Sequence, residues 1–133
     1  MKSYKTIFLV ACLAIGISSC NKQHTHGNDT QKPFIAIAKP LLNDTIALFS
    51  DTVHVSFTVQ DEGELHEIVI EIRDTVGTTL YADSKHVDAE SFSYDEHFTP
   101  TGITGITQML MTVSASDHSE NTMSETRSFF VKP

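Results

Sequence analysis

From Pro33 onward, apolar and polar residues alternate in short runs separated by turn signals. The clearest run is Thr52 to Gln60, where Val53, Val55, Phe57 and Val59 face one way and His54, Ser56 and Thr58 the other. A period of two marks a half-buried strand and predicts that His54 faces solvent. Asp61-Glu62-Gly63-Glu64 reads as a turn, and Leu65 to Arg73 as a second strand with Ile68, Ile70 and Ile72 on one face. Asp74-Thr75-Val76-Gly77 turns again before a short edge strand, Thr79 to Asp83. Ser91 to Thr99 offers Phe92, Tyr94 and Phe98 to one side, and Thr99-Pro100-Thr101-Gly102 ends it. Gln108 to Ser116 turns Met109, Met111, Val113 and Ala115 inward, and Met123 to Val131 does so with Phe129 and Val131. Phe34 to Lys39, stopped by Pro40, completes a set of about seven strands. No stretch of helical spacing and no internal repeat interrupts them. The pattern predicts an all-β, antiparallel β-sandwich over residues 33–133.

The chain ahead of this domain is built differently. Residues 20–32, Cys-Asn-Lys-Gln-His-Thr-His-Gly-Asn-Asp-Thr-Gln-Lys, are polar and without periodicity. They read as a flexible tether, which as a coil would span roughly 20 Å. Residues 1–19 begin with Lys2 and Lys5 and continue into an apolar run from Ile7 to Ile17. That run is too short for a bilayer-spanning helix, which needs ~20 apolar residues, and matches a secretory signal. It ends in Ile17-Ser18-Ser19-Cys20, which resembles the bacterial lipobox. The resemblance implies cleavage before Cys20, a diacylglycerol on its sulfur and an acyl chain on its new amino group. More than one chain anchors a protein stably. The expected location is therefore a membrane outside the cytoplasm, the outer membrane on its periplasmic or surface side. An ordinary secretory signal with a chance Cys is the plainer alternative.

Composition changes the picture in two respects. The 133 residues carry 9 basic and 17 acidic side chains, a net charge of −8. Removing residues 1–19 takes away Lys2 and Lys5 and no acid, leaving seven bases against seventeen acids, or −10. Such a surface argues against nucleic acid, which requires a basic face. Of the two cysteines, Cys12 leaves with the signal and Cys20 becomes the anchor. The folded part is then left without a thiol.

Segments Pro33-Phe34-Ile35-Ala36-Ile37-Ala38-Lys39-Pro40, Val53 to Asp61, Glu64-Leu65 and Ala115-Ser116-Asp117…Asn121 resemble the immunoglobulin-like domains of bacterial surface proteins. More narrowly, they are similar to an uncharacterised lipoprotein family of Bacteroidetes type. The resemblance implies an immunoglobulin-like β-sandwich from Pro33 to the C-terminus. The family pattern has Gly before the Asn, where this chain has Glu120, and the Cys…Trp…Cys core of antibody domains is absent.

Enzyme signatures are lacking. His66-Glu67 opens like a zinc-protease helix, but position 70 is Ile and the segment reads as a strand. There is no nucleophile elbow and no phosphate-cradling glycine loop. Two features invite divalent metal. His24 and His26 form a His-x-His pair on the tether, although a firm site needs three or four ligands. The loop holding Asp61, Glu62 and Glu64 and the loop holding Asp117, His118, Glu120 and Asn121 should meet at one end of the sandwich. Oxygen donors of this kind suit calcium. The same residues equally serve as turn formers that keep the sheet end soluble. The first strand should start at that end too, placing the tether beside the acidic loops. The sequence thus predicts a membrane-anchored, non-enzymatic binding module without cofactor, whose partner is an envelope protein or glycan. The alternative is a metal-binding (zinc, copper or calcium) accessory lipoprotein of an envelope uptake system.

Overall fold

The computed structural model describes residues 29–133. Cys20, His24 and His26 lie outside the described residues, as do residues 1–19, read above as a signal. Eight strands run in chain order: β1 (Phe34–Lys39), β2 (Thr45–Ala47), β3 (Val53–Gln60), β4 (Leu65–Asp74), β5 (Thr79–His86), β6 (Ser91–Phe98), β7 (Thr107–Asp117) and β8 (Thr122–Lys132). They form a three-stranded sheet, β1-β3-β6, and a five-stranded sheet, β2-β8-β7-β4-β5. All pairings are antiparallel except that of β2 with β8. This is the ordering of an immunoglobulin-like sandwich.

The alternation read from the chain is what brings the two sheets together. Val53, Val55, Phe57 and Val59 of β3 meet Ile68, Ile70 and Ile72 of β4, with Met109, Met111, Val113, Phe129 and Val131 alongside, all buried. Phe57 stacks on Tyr94 with ring centroids 5.1 Å apart. The Tyr94 hydroxyl crosses to the other sheet and donates to Asp83 Oδ2 at 3.0 Å, while accepting from the Tyr81 hydroxyl. Burial, reinforced by these hydrogen bonds, pushes the Tyr94 phenol far above its ordinary ionisation range. It therefore remains a neutral donor linking the sheets.

Three details differ from the pattern reading. The first is β2, a three-residue strand in a stretch where the pattern marked none. Chain that leaves β1 at the cis Lys39-Pro40 bond crosses to the second sheet and lies along β8. Arg127 braces this crossing, its Nη2 donating to the Ile37 carbonyl at 3.1 Å. Secondly, β5 runs on to His86 rather than stopping at Asp83. Thirdly, Phe92 and Phe98 on β6 point inward but are only half-buried, because β6 is the last strand of its sheet.

Candidate functional site

The loop ends expected to meet do so. Asp117 closes β7 and is 3% exposed. Its Oδ1 accepts the Ser119 and Asn121 amides, both at 2.8 Å, and its Oδ2 accepts from Asn121 Nδ2. That geometry forms the β7–β8 turn, in which Glu120 sits at a φ of 66°. Glu120 thus occupies the left-handed region, where glycine is preferred. Facing it, Asp61 closes β3 and accepts the Gly63 amide on Oδ1 at 2.8 Å.

A third carboxylate joins them. Asp29 lies just ahead of β1, its carbonyl accepting from Asn121 Nδ2 at 3.1 Å. Donor oxygens of Asp29, Asp61 and Asp117 all lie within 4.8 Å of one another. Gly63 permits the approach, since a β-carbon there would stand 3.0 Å from Asp29 Oδ2 and 3.2 Å from Asp61 Oδ1. Asp61 Oδ2 is buried and has no hydrogen-bond partner. Burial, followed by the charges of Asp117, Asp29 and Glu62, raises the Asp61 carboxyl above the usual range despite the Gly63 amide.

The remaining candidates fall elsewhere. Glu62 accepts from Gln31 Nε2 at 2.8 Å, so Gln31 as well as Asp29, both assigned to the tether by composition, contacts the domain. The Glu64 carbonyl accepts the His118 amide, and Glu120 is exposed. His118 turns away from the acidic trio. Its Nε2 donates to Asp88 Oδ1 at 3.0 Å, and His86 Nε2 approaches the same oxygen at 3.2 Å. The His66 ring packs edge-on against both, at 4.8 Å from His86 and 4.7 Å from His118. The hydrogen bond from His118, aided by His86, holds the Asp88 carboxyl below its ordinary range.

A further group was not foreseen. On the outer face of the three-stranded sheet, His54 and His97 stand directly across from each other on β3 and β6. Their rings stack at 4.3 Å. His54 Nε2 donates to Asp95 Oδ1 at 2.9 Å, and this bond lowers the Asp95 carboxyl from its usual value. Alternation placed His54 outward, but only the β3–β6 register reveals its neighbours.

These sites belong to an immunoglobulin-like β-sandwich with no helix among the described residues. No protein-family model matches the chain, nor does any curated protein. Among solved structures it is similar to the E. coli chaperone DraB, with a TM-score of 0.47 and 9% identity, over 77% of this chain. It spans 56% of that chain's length.

Proposed function

We propose that the protein is a lipid-anchored lipoprotein of the cell envelope, held in the outer membrane, whose sandwich is a non-enzymatic binding module for an envelope protein or glycan. The observation that carries this reading is the Ile17-Ser18-Ser19-Cys20 step behind a charged start and an eleven-residue apolar run, Ile7 to Ile17. It is followed, after the polar residues 20–32, by the immunoglobulin-like sandwich. The resemblance of residues 33–133 to surface domains and to lipoproteins of Bacteroidetes type supports the same reading. Replacing Cys20 with Ala should shift the full chain from the membrane to the soluble fraction and abolish its labelling by palmitate. Undiminished membrane association of the variant would refute the anchor. Pull-down from the envelope, with and without chelator, then tests for a partner.

A second reading, a divalent-metal accessory protein, is favoured by the buried, unpartnered Asp61 Oδ2 beside two further carboxylates. The linkage has a definite sign. Because the folded chain holds the Asp61 proton more tightly than the unfolded chain, this group favours folding at low pH. That contribution disappears as pH rises through the raised native value. In metal-free buffer at neutral pH, Asp61→Asn should therefore raise the melting temperature by a few degrees. Calcium should reverse the order, since a cation that binds only the folded state stabilises the wild type and not the variant. If calcium leaves both melting curves unmoved, this reading fails.

A further inference from the structure

The outer face of the β1-β3-β6 sheet carries chemistry that neither the anchor nor the acidic end uses. Antiparallel pairing sets His54 opposite His97 and Ser56 opposite Asp95, so alternation turns His54, His97 and Asp95 to the same side. Directly opposed side chains have β-carbons ~5 Å apart, and diagonal neighbours are within reach of long side chains. Here the diagonal is closed by the 2.9 Å contact of His54 Nε2 with Asp95 Oδ1. The Thr52 hydroxyl engages His97 Nδ1 at 2.9 Å, fixing that ring by its other nitrogen. A hydrogen bond to one ring nitrogen orients the other as a ligand, the arrangement common to metal-bound imidazoles.

We propose that His54, His97 and Asp95 bind one divalent transition-metal ion, with zinc as the representative. One donor atom from each lies within 4.8 Å of the others. Around a tetrahedral zinc with bonds of ~2.0–2.1 Å, ligand atoms stand ~3.3 Å apart. The donors must therefore close by at most about 1.5 Å. Exposed side chains manage this by small rotations, and the His54 side chain is 34% and that of Asp95 69% exposed. On binding, the ion takes the place of the proton that His54 shares with Asp95. Two imidazoles and one carboxylate are the ligand number of a zinc centre that keeps a fourth position open. An open recess beside the pair, lined in part by Asp44 and Asp51 with Lys39, gives that position access to solvent and a net negative surround.

The donor set also decides against the hard cations. Calcium takes six to eight oxygens, and this site offers a single carboxylate. Imidazole nitrogen suits zinc, copper and nickel. The site is thus chemically distinct from the all-oxygen trio at the acidic end, and it does not depend on the lipid anchor.

The test is calorimetric titration of the full chain, in mild detergent, with zinc chloride. The wild type should bind one more equivalent of zinc than a His54→Ala/His97→Ala double variant. Asp95→Asn should weaken that equivalent by roughly tenfold or more. Zinc taken up by His66, His86 and His118 would remain in all variants, so the difference is still read cleanly. The replaced side chains face solvent, and melting in EDTA should be close to that of the wild type. Should the double variant melt early, the single His97→Gln variant must show the same loss of affinity. Equal stoichiometry and affinity in wild type and variants, or no zinc uptake by the wild type, would overturn the proposal.

Discussion

Truncating Phe57 to Ala is expected to cost about 3–5 kcal/mol of folding stability. Phe57 sits midway along β3, paired across β1 with Ile37 and across β6 with Tyr94, and is 1% exposed. Its ring stacks on Tyr94 at 5.1 Å and lies 6.5 Å from Phe92. Removing it forfeits the transfer energy of the ring and leaves a cavity between two sheets whose strands cannot close up around it. It also releases the face of Tyr94, whose hydroxyl ties β6 to Asp83 and Tyr81 on the other sheet. Against the ~5–15 kcal/mol available to a domain, this is a large fraction. The urea midpoint should fall by roughly 2 M. Phe57→Leu, which retains most of the volume, should cost under about 1.5 kcal/mol. A near-wild-type midpoint for the Ala variant would mean that the sheets are not held at this point.

Replacing Asp117 with Ala should cost about 2–4 kcal/mol, because one buried carboxylate satisfies three donors. The amides of Ser119 and Asn121 and the Asn121 side chain all converge on it. Without it they lie in a turn that is partly closed to water, and Glu120 loses the frame that holds its positive φ. Hydrogen exchange should show the Ser119 and Asn121 amides losing protection while the centre of β7 retains it. Asp117→Asn keeps an acceptor for the two amides and lowers the charge beside Asp61, so its cost should be much smaller. If Ala and Asn prove equally tolerable, the turn does not depend on this side chain.

The strands most clearly legible in the sequence were those with one wet face and one dry face. Val53 to Val59 and Met109 to Ala115 declare their orientation residue by residue, because burial on one side alone forces a period of two. Thr45-Ile46-Ala47 did not, since three residues beside Asn43 and Asp44 carry too little alternation to separate a strand from a loop. The end of β5 was obscure for the reason edge strands usually are: Ser84, Lys85 and His86 are exposed, and no apolar face demands them. The meeting of Asp61 with Asp117 followed from topology, whereas the part played by Asp29 did not, because it lies in a stretch that composition alone marks as tether. His54 and His97 are 43 positions apart on strands that are not joined by a hairpin. Only the register brings them together, and nothing local in either strand specifies it.

The short strand that escaped the pattern has a mechanical consequence. β2 runs parallel to β8, with Thr45, Ile46 and Ala47 against Phe130, Val131 and Lys132. Backbone bonds from Asn43 to Ser128, Phe130 to Asp44 and Leu48 to Lys132 extend the seam at both ends. A pull applied between the two ends of the domain would act along this seam in opposite directions on its two strands. The bonds would then be loaded together in shear rather than opened one by one. Resistance to force is set by the unfolding barrier rather than by equilibrium stability, and a seam loaded in this way raises that barrier. Tension between the ends of the domain would thus be met by this seam as a unit.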